Sequence, residues 1–207
     1  MVQRMELYCL TPGGVVRDLY SLEARDINIF AAFEALSKTN RYNGNTANFY
    51  SVAEHSVRVA DWTVRLIAAE QPHLRKETKL QCERWALLHD VSEAYTGDVV
   101  APLRRLTHEL NELERDIQNL IRERARIPGS TFIANLVHRA DHLAFLDEVA
   151  GGAVGRFEDP VGHFGDWQHH KPLSPIRFWG HRAAYGELYD RWVEVTLAWQ
   201  EARDAGQ

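Results

Sequence analysis

Apolar positions recur along most of this chain at helical spacing, and the exceptions fall at its ends and in two loops. The opening LYCLTPGGVVRDLYSL sets two β-favouring runs around Pro12-Gly13-Gly14, which predicts a short hairpin within residues 5–22. Residues 26–38 then carry Ile29, Ala32, Phe33 and Leu36 on one face behind Asp26, a candidate cap. NRYNGNTANFY interrupts that period with Asn and Gly and reads as a loop. At Ser51 the run SVAE offers a capping box, in which Ser51 and Glu54 satisfy each other's backbone amides. His55 follows in the first turn, on the face continued by Val59, Trp62 and Leu66, so it is expected to point inward.

The helix predicted over residues 78–91 carries Leu80, Leu87, Leu88 and Val91 and brings His89-Asp90 to its C-terminal end, before a loop marked by Gly97 and Pro102. Leu110, Leu113, Ile117, Leu120 and Ile121 form an amphipathic stripe among many Glu and Arg, which predicts a bracing outer helix with a solvated charged face. FIANLVHRADHLAFLDEVAGG is apolar on more than one side, as a buried helix would be, with Asp141 in its middle and Gly151-Gly152 at its end. Residues 153–180 show no dependable period and read as an ordered loop near the site or a surface flap. Tyr185, Leu188, Trp192, Val195 and Trp199 give a last helix over 181–203, with EARDAGQ expected to fray. The expectation is an all-α chain with a small N-terminal hairpin, forming one domain over residues 1–207.

Composition changes this picture mainly by exclusion. The 207 residues, 45% hydrophobic, can close a core without disulfides. Twenty-four Lys+Arg against 29 Asp+Glu give a net charge of -5, which offers no basic field for polymeric nucleic acid or an anionic membrane. The two cysteines, Cys9 and Cys82, form no CxxC pair, the first residues lack the apolar core of a signal peptide, and no stretch is long enough to span a bilayer. A reducing cytoplasm is the expected compartment, with a homo-oligomer left open.

The chemistry lies in polar residues set against apolar surface. In RWALLHDVSEAYTGD a histidine and an aspartate close an apolar run, where burial is costly unless both are partnered. His55, His89, Asp90 and Asp141 come from three predicted helices, each on a face turned inward. Two imidazoles and two carboxylates suit one divalent ion such as Mn, Co, Zn, Ni, Fe or Mg, with positions left for water and substrate.

That ordered set resembles the metal motif of the HD-domain phosphohydrolase superfamily. NRYNGNTANFYSVAEHS, ALLHDVSEAYTGDVVAPL and RADHLA extend the resemblance, over about residues 20 to 150, to its nucleotide-hydrolysing branch of bacterial 5'-deoxynucleotidases and phage dATP triphosphohydrolases. The resemblance implies an all-α fold, a divalent metal and hydrolysis of free (deoxy)nucleotides by metal-activated water at the 5' phosphorus. It implies proton transfer by Glu93, help to the leaving oxygen from Asp98, phosphate binding by Arg41 and packing near the sugar by Tyr42, where relatives carry tryptophan or phenylalanine. A 5'-deoxynucleotidase-type activity is the leading expectation. A dNTP triphosphohydrolase, drawing on Arg104, Arg105 or Lys38 for the outer phosphates, and a non-catalytic regulatory domain are the alternatives.

Each residue also has a plainer reading. His55 can be a hydrogen-bonded core histidine, Glu93 a solvated residue past a helix end, Asp98 a cap and Arg41 half of a surface ion pair. His138 and His142 flank Asp141 at helical spacing but are expected to lie outside the ligand set, and His169-His170 is expected to be solvated or to face substrate.

Overall fold

The computed structural model describes residues 6–104, 106–155, 157–159 and 167–206, with backbone alone at 101 and 102. Met5, Arg105 and part of the 153–180 loop therefore lie outside the described residues, as does Gln207. Strands β1 (Tyr8–Thr11) and β2 (Val15–Asp18) form the expected antiparallel hairpin, pairing Tyr8 with Asp18 and Thr11 with Val15. Everything else regular is helical: α1 (Ile29–Leu36), α2 (Val52–Glu70), α3 (Lys76–Leu88), α4 (Glu93–Thr96), α5 (Ala101–Arg104), α6 (His108–Ala125), α7 (Thr131–Ala150) and α8 (His181–Asp204), with a few 3-10 turns between. The all-α expectation holds.

Helix α2 lies at the centre, packed against α3, α7 and α8, and residues 52–60 are buried all round. Of the outer helix's stripe, Leu113, Ile117 and Ile121 are buried, and α8 contributes Leu188, Trp192 and Val195 to the same core. No helix among the described residues is long and apolar enough to cross a membrane.

Two helix starts differ from the sequence reading. Helix α1 begins after Asn28, whose side chain accepts from the Ala31 amide at 3.1 Å. Asp26 is used one turn earlier, accepting from the Glu23 amide at 3.0 Å in a 3-10 turn. Ser51 does cap α2, accepting from the Glu54 amide at 3.1 Å, a contact worth ~1 kcal/mol. The reciprocal half of the capping box is replaced. The Glu54 carboxylate accepts from the amides of Arg177, Phe178 and Trp179 at 3.0, 3.1 and 2.7 Å, pinning that strap across the start of α2.

Asp147 anchors the other end of the strap. Fully buried on α7, it accepts from Arg58 at 2.8 Å, from the Trp62 indole at 3.0 Å and from the Leu173 amide, and His170 meets it at 2.6 Å. His170 is thus a structural partner of Asp147, against the expectation of a solvated or substrate-facing ring. Gly151 permits the close passage of the strap, because a Cβ there would stand 2.9 Å from Ile176.

Candidate metal centre

Helix α3 stops at Leu88, and residues 89–92 form a turn before α4 resumes at Glu93. The Gln118 side-chain amide of α6 donates to the His89 carbonyl and, at 3.0 Å, to the Ser92 hydroxyl, fixing that turn. His89 and Asp90 are thereby presented from the broken helix, while α2 supplies His55 and α7 supplies Asp141.

The geometry sets the imidazole tautomers. His89 Nδ1 lies 2.8 Å from the Ala86 carbonyl, and His55 Nδ1 lies 2.5 Å from Glu148 Oε1. A carbonyl and a carboxylate only accept, so Nδ1 carries a proton in both rings, which leaves Nε2 as the nitrogen that can offer a lone pair to a cation. Both Nε2 atoms are buried and have no hydrogen-bond partner. They face Asp141 Oδ1 at 3.1 Å from His55 and 4.0 Å from His89, and Asp90 Oδ2 at 3.5 and 3.1 Å. Ligand atoms of His55, His89 and Asp141 all lie within 4.8 Å of one another. Orphaned nitrogen lone pairs converging with two carboxylates are what a divalent cation requires, and the donor set fits one.

Electrostatics agree. Burial would push Asp90 up, yet His89, His55 and Arg41 hold it well below the usual carboxylate range. Burial likewise opposes ionisation of Asp141, and the two histidines outweigh it. Burial and Arg41 oppose charge on His55, but Glu148 and Asp141 raise it to about 9, so without a cation this cluster holds a proton instead.

Beside the cluster opens a cavity of about 420 Å³, within the range of small-molecule sites. Arg41, Tyr42, Glu93 and Asp98 line it, together with Asp90 and Asp141. Arg41 lies 3.6 Å from Asp90 Oδ2 and 3.4 Å from Glu148 Oε2. Tyr42 and Asn43 adopt left-handed backbone at φ 56° and 52°, a conformation costing ~1–3 kcal/mol per residue that is common at functional sites. The Tyr42 amide donates to Asp98 Oδ2 at 3.2 Å, which holds this strained turn against the 97–100 loop. Gly97, at φ 81°, ends α4 and turns the chain so that Asp98 can reach.

Glu93 is buried, and burial together with Asp90 and Asp98 pushes its carboxyl well above the ordinary value. One oxygen accepts from Arg104 at 3.1 Å, and the other has no hydrogen-bond partner. The plainer readings therefore misplace these residues: Glu93 is not solvated, and Arg41 pairs inside the site. Lys38 is turned away and paired with Glu34 at 2.6 Å, whereas Arg104 lines the cavity and also meets Glu114 at 3.3 Å. His138 and His142 line the cavity from exposed positions.

The sequence reading missed Glu148. It is fully buried on α7, seven residues and so two turns beyond Asp141, on the same face. Its carboxylate accepts from His55 Nδ1, from the Tyr50 hydroxyl at 3.0 Å and from the Tyr42 hydroxyl. The seven-residue interval was the available signal, hidden in a helix read as apolar. Tyr50, a second partner of this carboxylate, carried none.

Comparison with known proteins places this arrangement. Residues 28–128 match the model of a family described as 5'-deoxynucleotidase YfbR-like, a span that holds every expected site residue except Asp141. The Escherichia coli (strain K12) protein YfdR, described as uncharacterized, is 34% identical over 103 residues, 50% of this chain. The chain spans about half the length of that relative, with 49% of it covered. Over residues 28–128 the chain is similar to the family described as 5'-deoxynucleotidase YfbR-like.

Proposed function

We propose that the chain is a metal-dependent phosphohydrolase of free nucleotides, with 5'-deoxynucleoside monophosphates as its preferred substrates. The observation that carries this reading is the pair of orphaned imidazole Nε2 atoms facing Asp90 and Asp141 at the wall of a cavity that also holds Arg41 and Glu93. His55, His89, Asp90 and Asp141 would hold the ion. When bound, it would supply a water of lowered pKa and positive charge for the phosphoryl oxygens.

The remaining work falls to the chain's own side chains. Arg41 stays charged despite burial, because Glu148, Tyr42 and Asp90 favour its cationic form. Its planar fork is placed to bind the phosphate beside the cluster. Burial, Asp90 and Asp98 push the Glu93 carboxyl well above its ordinary value, which favours its protonated form, and the carboxyl oxygen with no partner is the atom from which a proton can pass to the departing 5' oxygen. Asp98 supports that transfer in two ways: its charge raises the proton affinity of Glu93, and it anchors the Tyr42 amide. The Tyr42 ring forms wall, and its hydroxyl is committed to Glu148, so it contributes shape to sugar selection and no hydrogen bond.

The described lining supports the monophosphate reading over the triphosphate one. Among the described residues its lining arginines are Arg41 and Arg104, and Arg104 is occupied by Glu93 and Glu114. The proposal is tested by incubating purified protein with dAMP, AMP and dATP under several divalent metals and resolving phosphate from tripolyphosphate. Phosphate release, fastest from dAMP, supports it. Tripolyphosphate from dATP as the main product moves the activity to the triphosphate class, and no release from any substrate rejects hydrolysis.

A further inference from the structure

Glu148 is a fully buried carboxylate whose two oxygens serve two different parts of the site. Oε1 accepts from His55 Nδ1 at 2.5 Å and from the Tyr50 hydroxyl at 3.0 Å. Oε2 accepts from the Tyr42 hydroxyl and lies 3.4 Å from Arg41 Nε. One side thus grips a ring whose Nε2 faces the proposed metal position, and the other grips Arg41 and Tyr42 of the cavity wall. We infer that Glu148 is a positioning residue that ties the metal ligand His55 to the Arg41–Tyr42 pair, so that metal and phosphate are bound by one linked unit. This rests on the functional reading above.

An ionised carboxylate is acceptor-only, with room for about four donors, and here three hydrogen-bond donors and the Arg41 guanidinium surround it. The carboxylate on His55 Nδ1 fixes the ring's tautomer and its rotation about the Cβ–Cγ bond, so Nε2 stays aimed at Asp90 and Asp141. Such outer carboxylates change metal affinity by roughly 10–100-fold when removed. On the other side, Arg41 is held by charge while its terminal nitrogens remain toward Asp90 and the cavity. A side chain that only stapled the core would not need partners from both functional groups.

The replacement Glu148→Gln keeps size and one acceptor oxygen but turns an amide N–H₂ toward one set of donors. The test titrates Mn²⁺ or Co²⁺ into metal-stripped protein and inorganic phosphate into metal-loaded protein, with thermal unfolding run alongside. Glu148→Gln is expected to weaken the metal by about 10–100-fold and the phosphate with it. Tyr50→Phe, acting on the oxygen that holds His55, should weaken metal more than phosphate, and Tyr42→Phe should do the reverse. If Glu148→Gln is unstable, the two tyrosine variants decide alone, since that split supports the link and equal or absent effects overturn it. A folded Glu148→Gln with wild-type affinity for both probes overturns the inference while the functional reading stands. Wild-type protein that binds neither metal overturns the reading and the inference together.

Discussion

Two pairs of neighbouring residues, Glu54-His55 on α2 and Asp147-Glu148 on α7, divide the molecule's buried polar groups between two tasks. Neighbours on a helix point about 100° apart, so each pair sends one side chain to the strap and one to the cavity. On the strap side, Glu54 takes three backbone amides and Asp147 takes Arg58, Trp62, His170 and Leu173. Every such bond closes on protein. On the cavity side, His55 and Glu148 join a group in which two imidazole nitrogens, one Glu93 oxygen and the Nε atoms of Arg41 and Arg104 are left without hydrogen-bond partners. The strap side is not wholly saturated, since Arg58 Nε has no hydrogen-bond partner; what marks chemistry is that the unpaired groups on the other side converge beside a cavity.

The largest effect that would break this division is at the centre itself. His89→Ala should strip the metal and abolish turnover while helical content, read by circular dichroism, stays near wild type. Full metal occupancy by elemental analysis in that variant would remove the centre from its proposed place. Next comes Glu93→Gln, which cannot give up a carboxyl proton. It should lower kcat by about 10²–10⁴-fold with metal content unchanged, and an unchanged kcat would return Glu93 to packing.

The strap side should answer with stability alone. Arg58→Ala leaves Asp147 buried without its main counter-charge and should cost about 3–5 kcal/mol in denaturant unfolding. Metal affinity in the folded fraction should not move. A large loss of metal affinity would show that the two regions are coupled and the division is false.

A smaller effect is set by the proton on His55, which must leave before Nε2 can take a cation. With that group raised to about 9, apparent metal affinity should climb by about tenfold per pH unit up to that value and then level. In the metal-free protein the same proton stabilises the fold below the ordinary value of 6.5, and that contribution is lost as pH rises through about 9. Calorimetry in buffers of different ionisation enthalpy should show proton release on metal binding. The smallest change concerns Tyr42→Ala, which should alter the dAMP to AMP rate ratio by about tenfold through lost wall packing. Equal losses on both substrates would take Tyr42 out of sugar selection.

Much of this was readable along the chain where the signal is local. The hairpin turn at Gly13-Gly14, the stripe of the outer helix and the Ser51 cap depend on neighbours within a few residues. The inward set His55, His89, Asp90 and Asp141 was readable because helical period fixes which face each occupies. Most of what failed was long-range. Glu54 reads as a capping-box residue until the strap arrives 123 to 125 residues later. Asp26 was displaced as a cap because Glu23 offers it a 3-10 turn. Glu148 could not be separated from core, since its partners at Tyr42, Tyr50 and His55 lie about a hundred residues away and only folding brings them together.

The central claim is that the orphaned nitrogens and their two carboxylates hold a metal on which phosphate release from a deoxynucleotide depends. It is tested most directly by stripping wild-type protein with a chelator and following phosphate release from dAMP as Mn²⁺ or Co²⁺ is restored, with His89→Ala in parallel. The account predicts loss of activity on stripping, recovery in wild type that saturates with the metal bound, and no recovery in His89→Ala. Phosphate release that persists in stripped protein, or recovers equally in His89→Ala, would contradict it.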